Sequence, residues 1–396
     1  MGNQKPPCFV KRLIGDKRGE ITGMKNGDRR VGIITFHCSN NFGAMLQAFA
    51  LKTYLQQSGI KTDLVRYEPP FMTGRHWWFP YVPIEGRKKR LEWEKKAWKS
   101  HLRMGMDFFR QRANYNRFKR KYLIRRFQRK LLFSGQLKWL PYSCYVVGSD
   151  QIWNPDITYG LRKAYFGAFD NKRKKRVIAY AASLGGAALA EQHKQEFSGL
   201  VRRVDTISVR EEEAISYVEN CSQKKVISVL DPVFLLERES WQQVEKVPDR
   251  KGYVLVYTAE WNKELQEYAL ALAKEKNLPA VILRASKWGE DVGFEADYIS
   301  GPSEFLGYIH NADYVVTNSF HAIAFSIIYQ KKFLAFLHSN RGARIRNILH
   351  IHELEGRLYN KEENTQIDAA VNWDRVIERT RESVKLSKDF LQENIP

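Results

Sequence analysis

Twice along this chain, short apolar runs rich in β-branched residues alternate with stretches of helical period, and between the two series the alternation stops and restarts. Continuous apolar strands must be covered on both faces, which a parallel sheet flanked by helices provides. The first series opens with VGIITF (31–36), the loop HCSNNFG, the helical stretch AMLQAFALKTYLQQS with Gly59 as its stop, and KTDLVRY, together one βαβ unit. Strands follow at YVVGSD (145–150), RVIAYAAS (176–183), TISVR (206–210) and VISVLD (226–231). The polar segment ERESWQQVEKVPDRKG (237–252) reads as a boundary. The second series has strands at YVLVYT (253–258), AVIL (280–283), YVVTNS (314–319) and FLAFL (333–337), with helices near 262–276, from about 302, and from His321 onward. At 396 residues the chain has room for two cores. The expected fold is α/β, two doubly wound units facing a cleft, with ligands beyond the carboxyl ends of the strands.

An insert at 71–140 breaks the rhythm. Leu91, Trp98, Leu102, Met106 and Phe109 recur at helical spacing among charges, followed by Phe118, Tyr122 and Leu123, which predicts long amphipathic helices. The net charge of +21 concentrates there: residues 71–130 hold nineteen Lys or Arg against four acids, and residues 1–30 add eight against three. A field so localised points to an anionic surface or partner. The expected organisation is a basic extension at 1–30, a first domain at 31–240 interrupted by the basic helical insert at 71–140, and a second domain at 250–396 with a terminal helix.

Apolar residues at 43% and aromatics at 13% exclude general disorder. No stretch approaches the roughly 20 apolar residues of a bilayer-spanning helix, and no apolar block near the N-terminus resembles a secretory signal, so a soluble, cytoplasmic protein is expected. Cys8, Cys38, Cys144 and Cys221 are far apart with no CxxC pair, and no cluster has metal-ligand spacing, so neither a disulfide framework nor a metal site is expected.

Four strand ends carry polar residues where an α/β sheet presents its chemistry: HCSNNFG, GSDQIWN (148–154), Arg210 of ISVREEEA, and TNSFH (317–321). Taken singly, each is explained by helix capping. His321, alone in an otherwise apolar run, is either a packed imidazole or a proton carrier at the mouth of the sheet.

In their order, NFGAMLQAFAL, YVVGSDQIWN, YAASLG, ISVREEEA, LDPVFLL, PSEFLGYIHNADYVVTNSFHAIAFSIIYQKKF and RGARIRNILH resemble the polysaccharide pyruvyl transferase family from about 31 to 355. The resemblance implies two Rossmann-like domains in a GT-B-like arrangement and transfer of a pyruvyl group from phosphoenolpyruvate to saccharide hydroxyls in surface polysaccharide synthesis, with no further cofactor. The chain departs from the family at one visible place: SFHA stands where SFHG is usual, so Ala322 puts a methyl beside the histidine.

The chemistry suits the residues. Making a ketal from phosphoenolpyruvate requires a proton on its methylene carbon, attack of a hydroxyl on C2, loss of phosphate and closure by a second hydroxyl. His321 is the candidate acid and base, since imidazole titrates near neutrality, and at a helix start it would stand where backbone N–H groups favour a phosphate or carboxylate. Arg210 is a candidate anion ligand through its two-pronged guanidinium, with an ion pair to Glu211, Glu212 or Glu213 as the alternative. Arg344, on one helical face with Arg341, is a second anion ligand, a solvated face being its alternative. Asp150 accepts a sugar proton, orients His321, or caps a turn. Asn41 and Gly43 shape the first loop for backbone approach to the ligand, though not as a dinucleotide or P-loop motif. Ser149, Asn318 and Ser319 are candidate hydrogen-bonding ligands.

Basic helices bearing Trp77, Trp78, Trp93 and Trp98 suit an anionic membrane surface, each Lys or Arg there contributing about 1 kcal/mol, and would bring a lipid-linked acceptor within reach. The alternative is a solvated hairpin packed on the body. Rival functions are glycosyl transfer from a nucleotide sugar and non-enzymatic RNA or membrane binding. No RNA-recognition signature is present, so no nucleic acid partner is expected.

Overall fold

The computed structural model describes residues 30–169, 175–285, 291–339, 342–362 and 365–396, so the expected N-terminal extension, Arg30 apart, lies outside the described residues. The first sheet runs β2-β1-β3-β4-β5-β6, all parallel, from β1 (Arg30–Ile34), β2 (Lys61–Leu64), β3 (Cys144–Val147), β4 (Arg176–Ala182), β5 (Thr206–Val209) and β6 (Val226–Ser228). The second runs β11-β10-β7-β8-β9, also parallel, from β7 (Val254–Tyr257), β8 (Ala280–Leu283), β9 (Glu295–Asp297), β10 (Tyr314–Thr317) and β11 (Lys332–Ala335). Two doubly wound α/β domains are therefore present, with a cavity between them at the carboxyl ends of their strands. Only β9 has no counterpart among the expected strands. Its three residues, Glu-Ala-Asp at a sheet edge, offer no apolar run to detect.

Helix α1 (Phe42–Gln57) joins the halves. Asn41 caps it, its side chain accepting from the Ala44 N–H at 2.9 Å, and apolar residues surround it almost completely, as a helix buried on all sides requires. Phe42 packs on Phe305 and Tyr257 of the second domain, with ring centroids 4.7 and 5.4 Å apart.

The insert forms the two helices expected, α2 (Arg87–Met104) and α3 (Met106–Phe118), separated by Gly105 at positive φ. It is fastened at its far end, where Lys119 and Lys130 reach Glu68 at 3.1 and 3.5 Å. Burial works against the Glu68 charge, but Lys119 above all outweighs it and takes the pKa down to about 2. The inner face of α3 crosses to the second domain. Gln111 donates to the carbonyls of Tyr298 and Ala285 at 2.8 and 3.2 Å and Asn114 to that of Ile299 at 2.9 Å, while Tyr115 stacks on Phe42 of α1.

The second domain carries α6 (Lys263–Lys276), α7 (Pro302–Asn311), α8 (Phe320–Ile328) and α9 (Gly342–Ile351), while α4 (Glu191–Val201) and α5 (Ile215–Ser222) cover the first. The terminal helix α10 (Trp373–Asn394) leaves the second domain and docks on the first. There Ser387 accepts from the Leu230 N–H at 3.0 Å and Phe390 packs beside Tyr180.

Candidate active site

The cavity between the domains encloses about 360 Å³. Asn41, Gly43, Asp150 and Gln151 come to it from the first domain, and Asn318, Ser319, His321 and Arg344 from the second. Seven of the residues anticipated from sequence thus converge from both halves of the chain.

His321 lies in the first turn of α8, directly after β10, and is 9% exposed. Its ring rests on Gly43 of α1: a Cβ at position 43 would stand 2.0 Å from Nδ1 and 2.2 Å from Cγ, so any side chain there would occupy the imidazole's place. Gly43 therefore makes room for the histidine ring, and it also lines the cavity, where a backbone approach to a ligand was expected of it. On the other side, Nε2 faces Oδ2 of Asp231 at 3.7 Å and has no hydrogen-bond partner. The ring and Gly43 both line the cavity.

Asp231 sits just past β6, 1% exposed, and caps the turn Pro232–Leu235 through Oδ1, which accepts from the Val233 N–H at 3.2 Å. Its Oδ2 gathers three groups: Arg210 Nη1 at 2.8 Å, Ser149 Oγ at 3.2 Å and the His321 ring. Burial alone would raise this carboxyl, but His321 and Arg210 overcome that cost and hold it well below the usual carboxylate range. Asp231 is ionised at neutral pH and biases the imidazole toward carrying its proton on Nε2.

Arg210 and Ser149 consequently lie behind the cavity wall. Arg210 is 3% exposed; besides the bond to Asp231, it stands 3.6 Å from Glu211 and 4.0 Å from Asp150, with its guanidinium 4.6 Å from the Phe320 ring. Burial opposes its charge, and these three carboxylates reverse the effect, raising its pKa. Where a grip on a substrate anion was expected, the guanidinium instead donates from Nη1 to Asp231 and does not line the cavity. Ser149, fully buried and donating to the same carboxylate, likewise does not line the cavity where a ligand role was expected of it.

The other anticipated residues do line the space. Asp150, at φ 71°, turns its carboxylate back to accept from the Gln151 N–H at 2.8 Å, so the local turn is one of its functions. Asn318 accepts from the Ala259 N–H and donates to the Glu260 carbonyl, fixing the loop after β7. Ser319 precedes α8 without making a side-chain cap, which leaves the first turn of that helix to face the cavity. Arg344 is half-buried in α9, whereas Arg346 is exposed; Arg341 lies outside the described residues. The methyl of Ala322 belongs to the hydrophobic core and is absent from the cavity lining, so it does not narrow the site.

Several residues here were not anticipated. Asp231 follows β6, Thr258 to Trp261 follow β7, Arg284 follows β8 and His338 follows β11. All obey the strand-end rule that identified the others, so applying it to every strand finds them. Among the described residues, no group of three His, Cys, Asp or Glu side chains is placed to hold a metal ion.

Comparison with curated proteins gives no significant match. Among solved structures, the chain is similar to the UDP-GlcNAc 2-epimerase of Neisseria meningitidis bound to UDP-GlcNAc, at 11% identity and TM-score 0.46, covering 91% of this chain and 94% of that one. It is also similar to the UDP-N-acetylglucosamine 2-epimerase of Rickettsia bellii, at 10% identity and TM-score 0.43, covering 92% and 95%. A third similarity is to the E. coli heptosyltransferase WaaC with ADP-2-deoxy-2-fluoro heptose, at 11% identity and TM-score 0.36, covering 92% and 99%. The polysaccharide pyruvyl transferase family matches residues 41–340. Since that match runs unbroken from the cap of α1 to beyond β11 and takes in Gly43, Asp231 and His321, the chain belongs to the polysaccharide pyruvyl transferase family.

Proposed function

We propose that the chain transfers a pyruvyl group from phosphoenolpyruvate to two hydroxyls of a saccharide, forming a ketal and releasing phosphate. The observation that carries this reading is the imidazole of His321, seated between Gly43 and an ionised Asp231 on the wall of a cavity open to both domains. Family membership supports a transferase of this class. The reading calls for no cofactor beyond the donor.

In this account Arg344 and the first-turn N–H groups of α8 receive the anionic donor. His321 acts through Nδ1. In its charged form it delivers a proton to the methylene carbon as the first hydroxyl adds to C2; the C2–O bond to phosphate then breaks, and the second hydroxyl closes the ring. Of the two hydroxyl protons, one restores the histidine and the other leaves with phosphate, so protons and charge balance. Asp231 stabilises the imidazolium and fixes its orientation. Arg210 and Ser149 are positioning residues that hold Asp231, and Asp150, which lines the same cavity, takes the second hydroxyl's proton and passes it to the departing phosphate.

Phosphate release tests the reading. Phosphate is expected to appear only when phosphoenolpyruvate and a saccharide acceptor are both present. Turnover of a nucleotide sugar, with phosphoenolpyruvate untouched, would assign the cavity to glycosyl transfer.

The Gly43 contact gives a second prediction. Gly43→Ala is expected to push the ring off its seat and lower kcat by about a hundredfold, the scale of loss when a reacting group is misplaced by an ångström. Acceptor-dependent turnover measured on the folded variant checks this, and an unchanged kcat would remove Gly43 from the site.

A further inference from the structure

We propose that α2 and the segment before it form a docking surface for an anionic lipid bilayer, and that this surface sets the cavity at a fixed place beside the membrane. Helix α2 is polar in composition yet exposes an apolar stripe. Leu91, Trp98 and Leu102, seven and four residues apart, share one face and are 41%, 38% and 48% exposed. The stripe continues beyond the helix. Phe79, 71% exposed, stacks beside Trp98; Trp78 stacks on Phe109, 47% exposed; and Met106 at the start of α3 is 66% exposed. Exposed large side chains gathered on one side of a water-facing helix mark an interaction site.

Charge identifies the partner. Lys88, Lys95 and Lys99 border the stripe on one side, and Lys89, Lys96 and Arg103 continue the basic face beyond them; all six are exposed and have no ion-pair partner among the described residues. In this they differ from Lys119, Lys130 and Arg125, which are tied to Glu68 and Asp63. An apolar stripe bordered by free cations suits a helix lying in the plane of a membrane, with aromatics at the interface and lysines among anionic headgroups. A single-stranded nucleic acid would use the aromatics and cations but has no use for exposed Leu91, Leu102 and Met106. Among the described residues no helix is long and apolar enough to cross a membrane, so the contact is peripheral.

The opposite side of this element explains what docking would achieve. Gln111 and Asn114 of α3 are bonded to the backbone at 285 and 298–299, and Ala285 lines the cavity. A bilayer held against α2 is thereby fixed relative to the cavity mouth, as an acceptor saccharide carried on a membrane lipid requires. That last step rests on the proposed function; the docking itself does not.

Sedimentation of the full chain with vesicles tests the docking. Vesicles of phosphatidylcholine with phosphatidylglycerol are expected to carry down at least about fivefold more protein than phosphatidylcholine alone, with the difference falling as salt is raised. The triple variant Trp98→Glu, Leu102→Glu, Met106→Glu, which keeps every cation, is expected to lose about tenfold in vesicle binding. Its thermal midpoint and its turnover of a soluble acceptor should stay as in the wild type. Three outcomes overturn the proposal: equal binding of both vesicle types or none, wild-type binding by the folded triple variant, or displacement from vesicles by a short RNA that binds more tightly. Loss of docking with intact turnover of a soluble acceptor leaves the proposed reaction standing, while intact docking without such turnover sinks only that reaction.

Discussion

Replacing His321 by alanine is expected to reduce acceptor-dependent release of phosphate from phosphoenolpyruvate by about 10²- to 10⁴-fold, the usual contribution of a positioned acid or base. The fold should survive. Its Nε2 has no hydrogen-bond partner, and the ring lies at the edge of a cavity in the first turn of a helix that follows a strand. A thermal midpoint close to the wild-type value would show this. Added imidazole should restore part of the rate, because the alanine leaves a ring-sized space between Gly43 and Asp231. Wild-type turnover in His321→Ala would refute the assignment of the proton carrier.

Asp231→Asn should be costly in a different way. The substitution keeps the shape and the acceptor that caps Pro232–Leu235, but it leaves Arg210, 3% exposed, without its carboxylate at 2.8 Å. Breaking one partner out of a buried pair costs about 3–5 kcal/mol, which urea unfolding at neutral pH would measure. The pH dependence has a definite sign. The carboxyl is held below its ordinary value of 3.8, so the stability it contributes is fully present above that pH and is lost as the pH falls below it toward the folded value. The gap between wild type and Asp231→Asn should therefore stay constant from neutrality down to about pH 4 and close in stronger acid. Activity should fall as well, because the imidazole loses the carboxylate that faces its Nε2. An unfolding free energy unchanged by the substitution would show that Glu211 and Asp150 suffice to hold Arg210.

The fold was legible because most of its strands are apolar runs. Runs such as VGII and AVIL carry no polar side chain, as strands buried on both faces require, and the structure places them in β1 and β8. What stayed hidden was the joining of distant segments. From the sequence, the nearest carboxylates to Arg210 are Glu211 to Glu213, whereas the sheet pairs β5 with β6 and so brings Asp231 against it. Gly43 is legible as a glycine in a loop-to-helix corner, but its reason is a ring 278 residues further on. The insert shows the same limit. Its amphipathic period predicts α2 and α3, yet nothing local says that Gln111 will bond to the second domain while Trp98 and Leu102 remain at the surface.

The central claim is that one histidine, set by one buried carboxylate, moves the proton that turns an enol ester into a ketal. Isotope transfer in heavy water tests it most directly: phosphoenolpyruvate carrying carbon label in its pyruvyl group is incubated with the protein and a saccharide acceptor, and the product is read by mass spectrometry and NMR. The account predicts carbon label in the saccharide as a ketal, one solvent deuterium in its methyl group, and one phosphate released for each ketal formed. Carbon label remaining in phosphoenolpyruvate while a nucleotide-linked sugar is transferred to the same acceptor would contradict it.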